Sequence, residues 1–297
     1  MLTRGEIQKT ITSGFKIALR GLPNPRFWPG PGDPGRAKLD LMITAIALAS
    51  MLGFILLFAA CAEGTPLPTP IAEMPSPTPE PTPTPIIDKF FHARQQMVWN
   101  QIRARGVSDE AVLAAMETAP RHEFVLPKYL EQAYADHPLP IGYGQTISQP
   151  FIVAWMTELL EIESGDKVLE IGTGSAYQAA VLAEITDQVY TIEIIEELEK
   201  SAEERLKRLG YTQVKVRHAD GYFGWEEHAP YDAIIVTCAP DHIPQPLIQQ
   251  LKDGGRMVLP VGPPGGYQSL WLITKQDDQV LTRNLGGVRF VPLTGEH

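Results

Sequence analysis

From Lys167 onward, short apolar runs alternate with segments of helical periodicity, and that alternation leaves few folds open. Val168-Leu-Glu-Ile171 is an apolar run, Gly172-Thr-Gly174 a turn, and Ala176 to Ile185 a helix by its apolar spacing. Gln188 to Ile192 reads as a strand. Glu196 to Leu209 reads as a helix with basic residues late and Gly210 at its end. Val214 to Ala219 and Asp232 to Thr237 are strands, and Pro246 to Leu251 is a short helix stopped by Asp253-Gly254-Gly255. Met257 to Val261, Leu270 to Thr274 and Val288 to Leu293 complete seven strands. This order predicts a doubly wound, mainly parallel α/β sheet with right-handed crossovers. Ligands of such sheets bind beyond the carboxyl ends of the strands, where the strand order reverses. The loops at 172–175, 193–195, 220–224 and 238–242 are therefore the candidate site.

Ahead of the sheet, the segment from Ile86 to Leu160 reads mostly helical. Ser108-Asp109-Glu110 has the form of an N-cap with acidic first-turn residues, opening a helix that Pro120 closes. A Gly- and Pro-punctuated stretch runs from His137 to Pro150, and Phe151 to Leu160 returns to helical spacing.

The first 85 residues follow different rules. Twenty-seven prolines are too many for an evenly mixed chain of 297 residues, and nine of them fall between Thr65 and Pro85 with five threonines. Such a segment has few backbone donors and nothing to bury, which predicts an extended linker over 62–85 of about 3.1 Å per residue. Before it, Leu41 to Ala60 is an uncharged apolar run of twenty residues, just long enough to cross a bilayer as a helix. Residues 1–40 are basic, and the Lys/Arg bias sets the N-terminus inside and the body of the chain outside the cytoplasm. The run ends in Phe58-Ala-Ala-Cys61, similar to a bacterial lipoprotein signal in which Cys61 is lipidated. An uncleaved anchor with Cys61 as a small apolar residue reads equally well. The expected organisation is thus 1–40 basic, 41–61 signal or anchor, 62–85 linker and 86–297 a folded domain.

Composition excludes more than it selects. Two cysteines cannot make a disulfide framework or a multi-cysteine zinc site, and the seven histidines show no metal-ligand spacing. Residues 1–60 carry a net +4 and residues 61–297 a net −14, and an acidic body repels nucleic acid.

The strand-to-helix turn Glu170-Ile-Gly172-Thr-Gly174-Ser-Ala-Tyr177 resembles a dinucleotide turn, but Tyr177 stands where the third glycine belongs. Glu193 lies 19 residues after Gly174 at the end of the next strand, where a carboxylate can accept bonds from both ribose hydroxyls. An adenosine without pyrophosphate is what S-adenosylmethionine presents. Asp220-Gly221 closes the third strand and suits an adenine amino group, though an Asp-Gly turn explains it as well. Glu193 alone reads more readily as a solvated carboxylate at a helix start. Cys238 and His242, four apart at the fourth strand's rim, could form a nucleophilic pair, although a strand-end cysteine is usually a small buried residue.

With these residues in view, the chain resembles the protein-L-isoaspartate (D-aspartate) O-methyltransferase family. The matching stretches are Pro120-Arg-His-Glu-Phe-Val125, Leu139-Pro-Ile-Gly-Tyr-Gly-Gln-Thr-Ile-Ser-Gln-Pro150, Val168-Leu-Glu-Ile-Gly-Thr-Gly174, Asp220-Gly-Tyr-Phe-Gly-Trp225, Leu259-Pro-Val-Gly262 and Phe290-Val-Pro-Leu293. They lie between Phe91 and Thr294. The resemblance implies a Rossmann-like S-adenosylmethionine-dependent methyltransferase fold. It implies methyl transfer to the free carboxylate of isoaspartyl residues in damaged proteins. It makes Ser148 the active-site serine. Thr146, Ile147 and Ser148 then border cofactor and substrate. Glu170, Gly172, Thr173, Gly174, Glu193, Asp220, Gly221 and Thr294 then hold the cofactor. One departure is Ala176, where glycine is common in the family. Ser148 before Gln149-Pro150 is also a good helix N-cap. Two other readings stay open: a methyltransferase of this fold acting on another carboxylate or small nucleophile, and an inactive envelope-tethered domain. A membrane attachment with the domain outside the cytoplasm is expected from the front of the chain, and a cytoplasmic domain is the alternative.

Overall fold

The computed structural model of the protein describes residues 89–277 and 279–296. The expected basic segment 1–40, the signal or anchor 41–61 with Cys61, and the linker 62–85 lie outside the described residues. Among the described residues no helix is long and apolar enough to cross a membrane.

Among the described residues, nine strands and six α-helices make up the domain. The chain opens with α1 (Phe91–Gln96), which continues through a π-turn at Met97–Ile102, and α2 (Glu110–Thr118). Asp109 caps α2, its carboxylate accepting from the amides of Ala111 and Val112 at 2.8 and 3.0 Å. A small antiparallel hairpin follows, β1 (Leu139–Gly142) and β2 (Gln145–Ile147), pairing Leu139 with Ile147 and Pro140 with Thr146. Then comes α3 (Pro150–Leu159), with proline at its first position. The hairpin was not legible in the Gly- and Pro-rich stretch: three or four residues per strand are too few to show a period.

The main sheet holds β3 (Lys167–Ile171), β4 (Gln188–Glu193), β5 (Lys215–His218), β6 (Tyr231–Val236), β7 (Leu251–Val261), β8 (Gln268–Gln276) and β9 (Gln279–Val288) in the order β5-β4-β3-β6-β7-β8-β9. The first five are parallel, and β8 and β9 run antiparallel beyond them. The crossovers are α4 (Tyr177–Ala183), α5 (Glu196–Arg208) and α6 (Gln245–Gln250). The Rossmann-like architecture and the seven strands agree with the sequence reading.

Two strand boundaries differ from it. Asp253-Gly254-Gly255 does not end a helix before a strand; it lies inside β7, where the pairing with β6 shifts register between Tyr231 and Ala233. The last strand is Gln279–Val288 rather than Val288 to Leu293. Every residue from Gln279 to Asn284 is exposed on this edge strand, so it carries no apolar alternation to read. Val291 and Leu293 make only two bonds to Ala239, at 2.8 Å each.

The β3 run packs on both faces, as buried parallel strands do. Leu169 and Ile171 join Ile192, Ile234, Val236, Met257 and Leu259 beneath α6. Val168 joins Val189, Ala233, Ile235 and Val258 against α3 and α4 through Met156, Ala179 and Leu182. Each such side chain contributes about 1.5–3 kcal/mol by burial. The consequence for function is placement. The chain steps outward from β3 to β5, returns, and steps the other way through β6 and β7, so the order reverses between β3 and β6. The paired ends Ile171 and Val236 therefore stand at the mouth of a crevice.

Candidate functional site

At that mouth Gly172 leaves β3 at φ +95°. A side chain here would strike Thr237, whose Oγ1 lies 2.7 Å from where a Cβ would sit. Thr237 in turn donates to the carbonyls of Ile171 and Gly172 at 3.0 and 2.7 Å. Gly174 follows at φ +52°, and Ala176 takes the left-handed conformation at φ +69° as the residue before α4. For alanine that conformation costs about 1–2 kcal/mol, which explains why glycine suits this position.

Glu193, at the end of β4, is buried and ties the turn to its neighbour. Its Oε2 accepts from the Gly174 amide at 2.7 Å, and its Oε1 from those of Ile194 and Ile195 at 3.0 Å each. It is not the solvated carboxylate that a lone glutamate suggests. It holds the glycine turn open and still faces the crevice.

Thr146, Gly172, Gly174, Glu193, Gly221 and Thr294 converge on one pocket at this mouth. Thr237 and Cys238 also line it. Five of the expected residues stand elsewhere, Ser148 among them. Glu170 is fully buried behind the turn, joined to Thr191 at 2.5 Å, and Thr191 to Thr173 at 2.7 Å. Glu170 and Thr173 thus support the turn from below rather than wall the cavity. Ile147 is buried in the apolar core that the hairpin shares with α1, α2 and α4. Asp220 caps the short turn after β5, accepting from the Tyr222 amide at 2.9 Å, and also accepts from the Glu296 amide at 3.1 Å. Its neighbour Gly221 is required by packing, because a Cβ there would collide with Ile171.

Burial pushes the Glu170 carboxyl up to about 8; the Thr191 bond opposes this and the Glu193 charge adds to it. Its Oε1 has no hydrogen-bond partner.

A second cavity, of about 640 Å³, adjoins the first and shares Thr146, Thr237 and Val291 with it. Ser148 lies in its wall. The cap position of α3 falls on Gln149 and not on Ser148, and no side chain caps that helix. The serine hydroxyl makes no hydrogen bond to a described residue, while the Ser148 carbonyl accepts from Arg121 Nη2 at 2.8 Å. Arg121 is wholly buried, also donates Nε to the Ala133 carbonyl at 2.8 Å, and lies over the Tyr177 ring. Burial lowers its guanidinium to about 10. The sequence reading missed this role, since an arginine after a helix reads as solvated.

The Cys238–His242 pair does not form. His242 bonds Asp241 at 2.5 Å through Nδ1 and the Tyr222 hydroxyl at 2.9 Å through Nε2. Cys238 is buried, and desolvation with the nearby carboxylates Glu193, Glu170 and Asp220 pushes its thiol up. A neutral thiol with no base beside it is no nucleophile. Among the described residues no cluster of three His, Cys, Asp or Glu could hold a metal ion.

The site therefore has two compartments. The first offers bare glycine backbone, a carboxylate and hydroxyls. These suit a cationic nucleoside such as S-adenosylmethionine. The second presents a free serine hydroxyl.

Residues 92–297 match the family model described as protein-L-isoaspartate(D-aspartate) O-methyltransferase. A protein-L-isoaspartate O-methyltransferase of Gloeobacter violaceus is 57% identical over 200 residues, 67% of this chain and 98% of that protein. Protein-L-isoaspartate O-methyltransferase 2 of Polaromonas sp. is 61% identical over 189 residues, 63% of this chain and 90% of that protein. Among solved structures, a putative enzyme of the same description from Plasmodium falciparum, in complex with S-adenosyl-L-homocysteine, has a TM-score of 0.60 at 25% identity, covering 68% of this chain and 98% of that one.

Proposed function

The chain belongs to the protein-L-isoaspartate(D-aspartate) O-methyltransferase family, and from that membership we propose how its cleft works. The protein is an S-adenosylmethionine-dependent methyltransferase acting on the free carboxylate of isoaspartyl residues in damaged proteins. When bound, S-adenosylmethionine supplies a methyl group on a positively charged sulfur. Gly172, Gly174, Glu193, Gly221 and Thr294 would hold it: the glycines admit close approach of the backbone, and the Glu193 carboxylate would supply acceptors and negative charge.

Ser148 carries the proposal for the acceptor side. A free α-carboxylate such as the isoaspartyl one titrates at about pH 3.5 and is ionised at neutral pH, so no general base is needed. The free Ser148 hydroxyl donates to one carboxylate oxygen and turns the other toward the neighbouring cavity. The buried Arg121 prevents the Ser148 backbone from drifting. Such positioning supplies several kcal/mol toward the barrier. Transfer from the bound cofactor would form the oxygen–methyl bond at the expense of its methyl–sulfur bond, whose electron pair would stay on sulfur. The product ester then cyclises without help from the protein, the following backbone nitrogen attacking and methanol leaving.

The test follows methyl transfer from labelled S-adenosylmethionine to an isoaspartyl peptide, with its aspartyl twin and the Ser148→Ala variant beside it. Base-labile label in the isoaspartyl peptide alone, reduced in the variant, is expected. Equal labelling of both peptides would overturn the substrate assignment.

The domain is further proposed to be tethered outside the cytoplasm through residues 41–61. The uncharged run Leu41 to Ala60 after a basic leader supports this, as does the proline-rich spacer that follows. Protease added to intact cells is expected to remove the domain; a shielded domain would sink the placement.

A further inference from the structure

The second cavity holds charge that the methyl transfer itself does not require. Two guanidinium groups, Arg105 and Arg289, line it, and no carboxylate of the described residues does. The surroundings are the reverse: residues 89–297 contain 18 Lys and Arg against 28 Asp and Glu. A cationic cleft in an acidic domain is a local arrangement that composition does not supply.

The two arginines are not alike. Arg105 lies 3.5 Å over the Phe151 ring and donates to Asp136 at 2.9 Å, so its charge is already met. Arg289 makes no hydrogen bond or ion pair with any described residue, and it is exposed. Its backbone is nevertheless fixed. The buried Gln268 side chain accepts from the Phe290 amide at 2.6 Å and donates to the Phe290 carbonyl at 3.1 Å. The Val291 carbonyl accepts from the Ala239 amide at 2.8 Å. A flexible charged side chain thus projects from a clamped point on the wall of the acceptor cavity.

The accepting carboxylate is a poor partner for it. That carboxylate loses its charge as it is methylated. A full cation paired with it would stabilise the ground state more than the transition state and raise the barrier. A serine hydroxyl costs far less. The partner of Arg289 is therefore an anion that persists through the reaction.

We propose that Arg289 is a specificity-determining residue that pairs with an acidic side chain flanking the isoaspartyl residue, so that the protein selects damaged sites in acidic segments. The inference rests on the isoaspartyl reading above. Arginine suits the task, since its planar fork accepts a carboxylate in two parallel bonds.

The test uses two isoaspartyl peptides that differ only in flanking residues, glutamate in one and glutamine in the other. Peptide binding by fluorescence anisotropy and kcat/KM for methyl transfer are both measured on the full-length protein. The wild type is expected to favour the glutamate peptide about fivefold at low salt, with the advantage shrinking as salt rises. R289Q brings the ratio near one, and R289E inverts it. A wild-type ratio of one, or a ratio that survives R289Q, overturns the proposal; a merely structural role moves both peptides alike and leaves the ratio standing. If neither peptide is methylated, the isoaspartyl reading fails, and the binding ratio still decides the role of Arg289.

Discussion

Arg121 donates its Nη2 to the carbonyl of Ser148 at 2.8 Å, so a wholly buried cation fixes the backbone of the residue proposed to orient the substrate. The two residues should therefore fail in different ways. Ser148→Ala removes one hydrogen bond to a charged group, worth about 1.5–3 kcal/mol, and kcat/KM should fall roughly 10- to 150-fold with little change in melting temperature. Arg121→Met leaves the carbonyls of Ala133 and Ser148 without their donor. Each such loss costs about 1–3 kcal/mol, partly offset because a buried cation no longer needs desolvating. Melting temperature and rate should drop together. Paired thermal melts and kinetics on both variants check this; unchanged stability in Arg121→Met would contradict it.

The Glu170 carboxyl gives stability a pH dependence. Raised from 4.5 to about 8, it keeps a proton in the folded state that the unfolded chain has lost. Between those values the folded state binds more protons, so this group makes stability fall as pH rises from about 4.5 to about 8. The loss is complete above that range and absent below it. Glu170→Gln keeps an acceptor for Thr191 and cannot titrate. Urea unfolding at several pH values should show the variant gaining on the wild type, by an order of a few kcal/mol, as the pH is raised. Parallel curves for the two proteins would refute the assignment.

Gly172→Ala tests the turn. Its φ of +95° is unfavourable for alanine, and the added methyl would meet the Thr237 hydroxyl at 2.7 Å. A loss of about 2–3 kcal/mol is expected, with weakened binding of S-adenosylmethionine by calorimetry. Adding Thr237→Ala should relieve the collision and not the backbone strain, so recovery should be partial. Full recovery would show that the dihedral carries no cost.

Cys238 should behave as an inert wall residue. Its thiol is buried and pushed up by desolvation, so iodoacetamide at neutral pH should label it only after unfolding. In a Cys61→Ser background the count of labelled thiols reads this directly. Rapid labelling of the native protein would restore the reactive reading.

The alternation from Lys167 was enough to read the sheet because its strands are buried on both faces and interrupted by glycine turns. It could not reveal β9, whose exposed edge has no apolar period, nor the β1–β2 hairpin that carries Thr146. At the site, Glu193 was legible from its distance to the glycine turn, and the 2.7 Å bond to the Gly174 amide shows why that spacing matters. Glu170 could not be assigned by spacing, since a strand residue points either into the crevice or into the protein. Thr237 and Arg121 were missed for a different reason. Their roles depend on strand order and on contacts across 65 and 27 residues, which a linear reading does not contain.

The partition built from Thr146, Thr237 and Val291 faces both compartments at once. Whatever work a nucleoside does in displacing that partition, a peptide on the other side meets as altered affinity. Thermodynamic reciprocity makes the factor equal in both directions. A ligand that shifts any of these three side chains on one side would thus be felt on the other, and equal factors in the two affinities are the mark of such traffic.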